Sequence, residues 1–121
     1  MEYLPNIAAA ITLGLGIIAI GLPSFIAEKV GIGARDSFGR SEVRATYGGL
    51  FVGLGAACFW LQSQEAFLVA AIAWLAAAVA RLLSMLAERD VSGKYWLGLL
   101  VEGGIGALFL ASVFRGALGQ T

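Results

Sequence analysis

Long uncharged runs alternate with short charged ones along the chain. Four apolar runs stand out, at about 4–27, 43–61, 66–87 and 95–114. Each is long enough to cross a hydrocarbon core, which takes roughly 20 helical residues. The runs are rich in Leu, Ala, Ile and Gly and do not alternate in polarity. Strands of a membrane barrel would be about half as long and would alternate. The pattern predicts four membrane-spanning helices.

The connections are short. "QSQE" (62–65) and "ERDVSGK" (88–94) read as tight helix–helix turns, and "EKVGIGARDSFGRS" (28–41) is the longest link. Short links make consecutive helices antiparallel neighbours. The expected architecture is therefore all-α: an integral membrane antiparallel four-helix bundle, with residues 1–121 as a single transmembrane domain. Pro23 should kink the end of the first span, because it lacks a backbone N–H and its ring crowds the preceding turn. Ser41 is the expected N-cap of the second helix, with Glu42 in its first turn.

Composition agrees. Of 121 residues, 60% are hydrophobic and 13% charged, and mean hydropathy is +0.87. A soluble domain this small has too much surface to hide so many apolar side chains. Zero net charge leaves no basic field for nucleic acid. With no histidine and one cysteine, Cys58, no metal site and no cofactor are expected. Cys58 lies deep in an apolar run and reads as a packing thiol. The start, "MEYLPN", has no basic stretch, so the first run is expected to persist in the mature protein.

Charge sets an orientation. Lys29, Arg35, Arg40, Arg89 and Lys94 fall on one side, with Arg44 just inside it, and Arg115 alone on the other. By the positive-inside rule the loop-rich side is cytoplasmic. Both termini are then periplasmic, in a bacterial inner membrane. Tyr3, Trp60, Tyr95 and Trp96 stand near span ends, where amphipathic rings favour the headgroup level. Gly48, Gly49 and Gly53 are candidate helix-packing positions. Gly49 and Gly53 make a GxxxG step that Ala57 continues, a spacing that lets two helix backbones approach closely.

Ionisable residues inside apolar runs mark sites. Arg81 lies about 10 Å before the 88–94 turn and Glu102 about 12 Å after it, at 1.5 Å per residue. Opposite charges at matched depth on neighbouring helices should pair. Arg44 lies just inside the same boundary, with Tyr47 at i+3 on the same helical face. Glu42 is a second carboxylate near Arg44, and Ser84 stands one turn beyond Arg81. Arg44, Tyr47, Arg81 and Glu102, with Glu42 and Ser84, are thus expected to converge in the cytoplasmic half. Two readings stand: a polar clasp that binds nothing, or a pocket whose arginines receive a lipid headgroup or an anionic amphiphile, since Arg matches carboxylate and phosphate bidentately.

"SEVRATYGGLFVGLG" (41–55), "ARLLSML" (80–86) and "LLVEGGIGALFL" (99–110) resemble a family of small bacterial four-span membrane proteins of unknown function. That resemblance implies four helices, with shared polar positions at Glu42, Arg44, Tyr47, Arg81 and Glu102, and no established activity. "RATYGG" is also similar to the start of span two in eukaryotic scaffold proteins of ergosterol biosynthesis, which tether enzymes without being catalysts.

Three functions compete. The first is a non-catalytic binding or scaffold protein whose partners are membrane lipids, a membrane protein or a second copy of itself. The second is a small proton-coupled transporter working through Glu102. Against it, Arg81 at the same depth competes with a proton for that carboxylate. The third is an intramembrane enzyme using Glu102 and Tyr47 as acid and base. It ranks last, because the sequence offers no nucleophile beside a base.

Overall fold

A computed structural model of the chain describes residues 3–30, 33 and 36–119. Among them every regular element is helical: α1 (Tyr3–Gly21), α2 (Pro23–Lys29), α3 (Ser37–Val43), a π-helical segment (Arg44–Gly49), α4 (Leu50–Leu61), α5 (Gln64–Glu88) and α6 (Gly93–Gly119). Arg35, part of the charge bias that orients the chain, lies outside the described residues. Three helices are long and apolar enough to cross a membrane: Tyr3–Gly21, Gln64–Glu88 and Gly93–Arg115. They mark a membrane protein. The expected span 43–61 is divided differently. Its backbone is helical throughout but passes from the end of α3 through the π segment into α4.

Helix ends follow local chemistry. The first apolar run does not stay one helix. Proline disfavours helical geometry in the residue before it, and Leu22 leaves it (φ −131, ψ 64), so α1 stops at Gly21 and α2 restarts with Pro23 in its first turn. The next helix starts earlier than expected. Asp36, not Ser41, is its N-cap, and Asp36 Oδ1 accepts from the Gly39 N–H at 2.8 Å. A carboxylate satisfies an orphan N–H well, so Ser41 and Glu42 fall beyond the first turn and Glu42 loses its expected place beside the helix N-terminus. Ser63 caps α5 by accepting from Ala66 N–H at 3.1 Å. Arg89 ends α5 in the left-handed region (φ 53), and Asp90 Oδ1 then closes the turn by accepting from Ser92 N–H at 3.0 Å.

The residues group into two compact units: Met1–Ala8 with Leu61–Thr121, and Ala9–Trp60. In the first, α5 and α6 form an antiparallel hairpin. Phe67 stacks on Phe109 with centroids 6.2 Å apart. A Cβ on Gly106 would come within 2.8 Å of Leu75. Phe67, Ala70, Ala71, Trp74, Ala78 and Met85 are the buried positions of α5, at the three-to-four-residue spacing of one helical face. The outward positions are equally apolar: Leu68, Val69, Ile72, Val79, Leu82, Leu83 and Leu86 are exposed. A hairpin this apolar on its outside suits lipid rather than water. The start of α1 belongs to the same unit. The amides of Asn6 and Gln62 bond reciprocally, Gln62 Nε2 to Asn6 Oδ1 at 2.7 Å and Asn6 Nδ2 to Gln62 Oε1 at 3.3 Å.

In the second unit, α1 from Ala9 onward runs antiparallel to the π segment and α4. Glycines set the approach. A Cβ on Gly55 would sit 2.9 Å from the Ala9 carbonyl oxygen, and one on Gly16 would sit 2.7 Å from Val52 N and 2.8 Å from the Gly48 carbonyl oxygen. Gly48 in turn faces Ile20. The contact ridge is therefore Gly48 and Gly55 rather than the GxxxG step Gly49–Gly53. Gly53 has no described atom within 4 Å of its Cβ position, and Gly49 has only the Arg44 carbonyl oxygen, at 3.8 Å.

The π segment explains the shift. Leu50 N–H donates to the Ala45 carbonyl, five residues back, which is the π bonding pattern. The buried positions step Val43, Gly48, Gly55, Cys58. The five-residue step from Val43 to Gly48 crosses the widened π turn, whose bonds close at i→i+5, and the seven from Gly48 to Gly55 make two α turns. One extra residue in the turn keeps a single face against α1.

Candidate functional site

Two polar arrangements involve residues singled out by the sequence, one in each unit. In the α5–α6 hairpin, Arg81 and Glu102 meet as a fork: Nε donates to Oε1 at 2.6 Å and Nη2 donates to Oε2 at 2.9 Å. The side chains are 35% and 15% exposed, respectively, so the pair sits at the edge of the packed surface and the carboxylate is the better covered partner. Two parallel charge-assisted bonds are the strong geometry for these groups. Sequence depth predicts the pairing. It does not reveal the seat. A Cβ on Gly98 would lie 2.7 Å from Arg81 Nε and 2.8 Å from Cζ. Gly98, one turn before Glu102 on α6, is the notch that admits the guanidinium.

In the second unit, Arg44 Nε donates to the Ile20 carbonyl at 3.1 Å. The cause lies in α1. In a continuous helix the Ile20 carbonyl would accept from residue 24, but the break at Leu22–Pro23 leaves it among the orphan carbonyls of a helix end. Arg44 supplies the missing donor, and its positive charge suits the negative end of the helix dipole. A backbone acceptor has no sequence signature. The proline at position 23, opposite an arginine across an antiparallel pair, is the one signal that points to it.

Tyr47 does not share a face with Arg44 as i+3 in an α-helix would. Three residues fall well short of a π turn. The Tyr47 ring packs against the cluster of Ala19, Ala27 and Val43 beside Ile26, and meets Phe51 edge-on at 6.0 Å. Glu42 and Ser84 are exposed. The structure thus joins Arg81 with Glu102, and Arg44 with a backbone carbonyl, and gives Tyr47 a packing role.

Among the described residues, no group of three or more His, Cys, Asp or Glu side chains could hold a metal ion. Cys58 is buried in α4. Chemically, the Arg81–Glu102 fork is a charge-neutral pair joined by two hydrogen bonds, and Arg44 is a cation tied to a neutral acceptor.

No curated protein and no solved structure matches the chain. A match to a family described as a domain of unknown function (DUF4345) runs over residues 5–113, from the first turns of α1 almost to the end of the described side chains. The chain belongs to the DUF4345 family.

Proposed function

We propose that the chain is a non-catalytic binding or scaffold protein of the bacterial inner membrane. In this reading it is an antiparallel four-helix bundle with its charged loops cytoplasmic and both termini periplasmic. The helix that runs from Ser37 to Leu61 supplies the fourth crossing. Its partners are membrane lipids and anionic amphiphiles, together with a membrane protein or a second copy of the chain.

The observation that carries this reading is the Arg81–Glu102 fork. Glu102 is the carboxylate that proton-coupled transport would need. Both of its oxygens accept from one guanidinium across the α5–α6 contact, the bidentate geometry that joins two groups most firmly. A carboxylate held this way serves as a fastener of two helices.

Reconstitution into liposomes with an imposed pH gradient tests it. Proton flux equal to that of protein-free liposomes is expected, with Glu102→Gln lowering thermal stability in detergent. Flux above that background, lost in Glu102→Gln, would establish the transporter instead.

A further inference from the structure

We propose that Arg40 and Arg44 form a binding site for the phosphate of an anionic phospholipid headgroup. The proposal rests on reading the chain as membrane-embedded, and names the ligand class of that binding protein. The two arginines are one turn apart. The backbone N–H of Arg44 reaches the Arg40 carbonyl, so α geometry holds between them and their side chains leave the same face. Like charges at this spacing repel. An anion between them relieves that repulsion.

Among the described residues no side chain supplies one. Neither arginine makes an ion pair with a described residue. The nearby acids of the same unit are otherwise placed. Asp36 is turned in on the Gly39 N–H as a helix cap, while Glu28 and Glu42 are exposed and form no ion pair among the described residues. None of the three makes an ion pair with either arginine.

Arg44 is also pre-set for a phosphate. Its Nε is tied to the Ile20 carbonyl, which fixes the plane of the guanidinium. The opposite edge, Nη1 and Nη2, is left to donate two parallel bonds, the arrangement that phosphate oxygens accept. Arg44 is exposed and Arg40 half-buried. Their level suits a lipid. Ile20 is at the last turn of an apolar helix, and the chain beyond it, from Glu28 to Arg40, is charged. An arginine tied to that carbonyl stands where hydrocarbon gives way to headgroups, and there anionic lipids attract basic side chains.

The test uses the full chain extracted from vesicles of mixed phosphatidylglycerol and phosphatidylcholine, with retained lipid read by native mass spectrometry. Retention of phosphatidylglycerol over phosphatidylcholine is expected. It should fall about fivefold for each arginine removed in Arg40→Gln and in the Arg40→Gln/Arg44→Gln pair. Because Arg44 also caps α1, Arg40→Gln is the decisive variant, and thermal unfolding of each variant is read in parallel. Unchanged phosphatidylglycerol retention in Arg40→Gln and in a folded double variant would overturn the site. Equal stabilisation of the detergent-purified protein by inorganic phosphate alone would assign the arginines to soluble phosphate and overturn the lipid. Release of the wild-type chain from membranes by alkaline carbonate would instead remove the membrane reading beneath both.

Discussion

The α5–α6 hairpin and the pairing of α1 with α4 solve one problem in two ways. Each brings two antiparallel apolar helices close and seats an arginine at the contact. In the hairpin, Arg81 lies in the Gly98 notch and its charge is cancelled by Glu102. In the other pair, glycines carry the approach and Arg44 meets a carbonyl, not a carboxylate. The first arrangement is neutral. The second repairs a broken helix end and leaves a charge over. Ionisable residues in apolar runs are functional candidates by default, but what each one faces decides whether it fastens or binds.

The sharpest break of that contrast is steric. Gly55→Val would drive side-chain atoms into the Ala9 carbonyl and Leu13, and is expected to cost about 3 kcal/mol or more, at the upper end for overpacked contacts. Thermal unfolding in detergent would show it, and a wild-type midpoint would mean that α1 and α4 do not rely on this approach.

Next in size is Glu102→Gln, which strands the Arg81 charge. A loss of about 2 kcal/mol is expected, below the range for fully buried pairs because Arg81 is partly exposed. The double variant Arg81→Leu/Glu102→Leu should recover most of it, since removing both charges removes the desolvation problem as well. A double-mutant cycle reads the coupling directly. Additive losses would show that the fork contributes nothing as a pair.

Gly98→Ala should cost about 1 kcal/mol, the low end for a single added methyl that a flexible side chain can partly evade. The same loss should vanish in an Arg81→Leu background. Smaller again is Arg44→Gln, which removes a charged cap from the end of α1. About 0.5–1 kcal/mol is expected, and Arg44→Lys should restore part of it. At the bottom of the scale, Gly53→Ala meets open space and should stay within about 0.5 kcal/mol of wild type. A large effect there would point to a neighbour outside this chain.

The sequence alone determined the helical class, the apolar exterior and the Arg81–Glu102 pairing. Those follow from run length and from the distance of each charge to a short turn, quantities that a helix of fixed rise converts directly into depth. It also marked Pro23 as a kink, where the helix in fact stops and restarts. Only the tertiary structure decided what that break exposes, because the acceptor for Arg44 is the backbone of Ile20, and every residue has the same carbonyl. The π segment was likewise illegible. "RATYGG" carries no residue that α geometry forbids, and the extra residue in the turn becomes visible only through the face that Gly48 and Gly55 must present to α1. The three candidate packing glycines divide for the same reason: Gly48 lies at the contact, and Gly49 and Gly53 do not. Counting Gly49 to Gly53 assumes an α-helical phase, and one π turn moves the contact to Gly48 and Gly55. Spacing along a chain reports which residues share a face only when the helix type is known, and here packing against α1 sets that type.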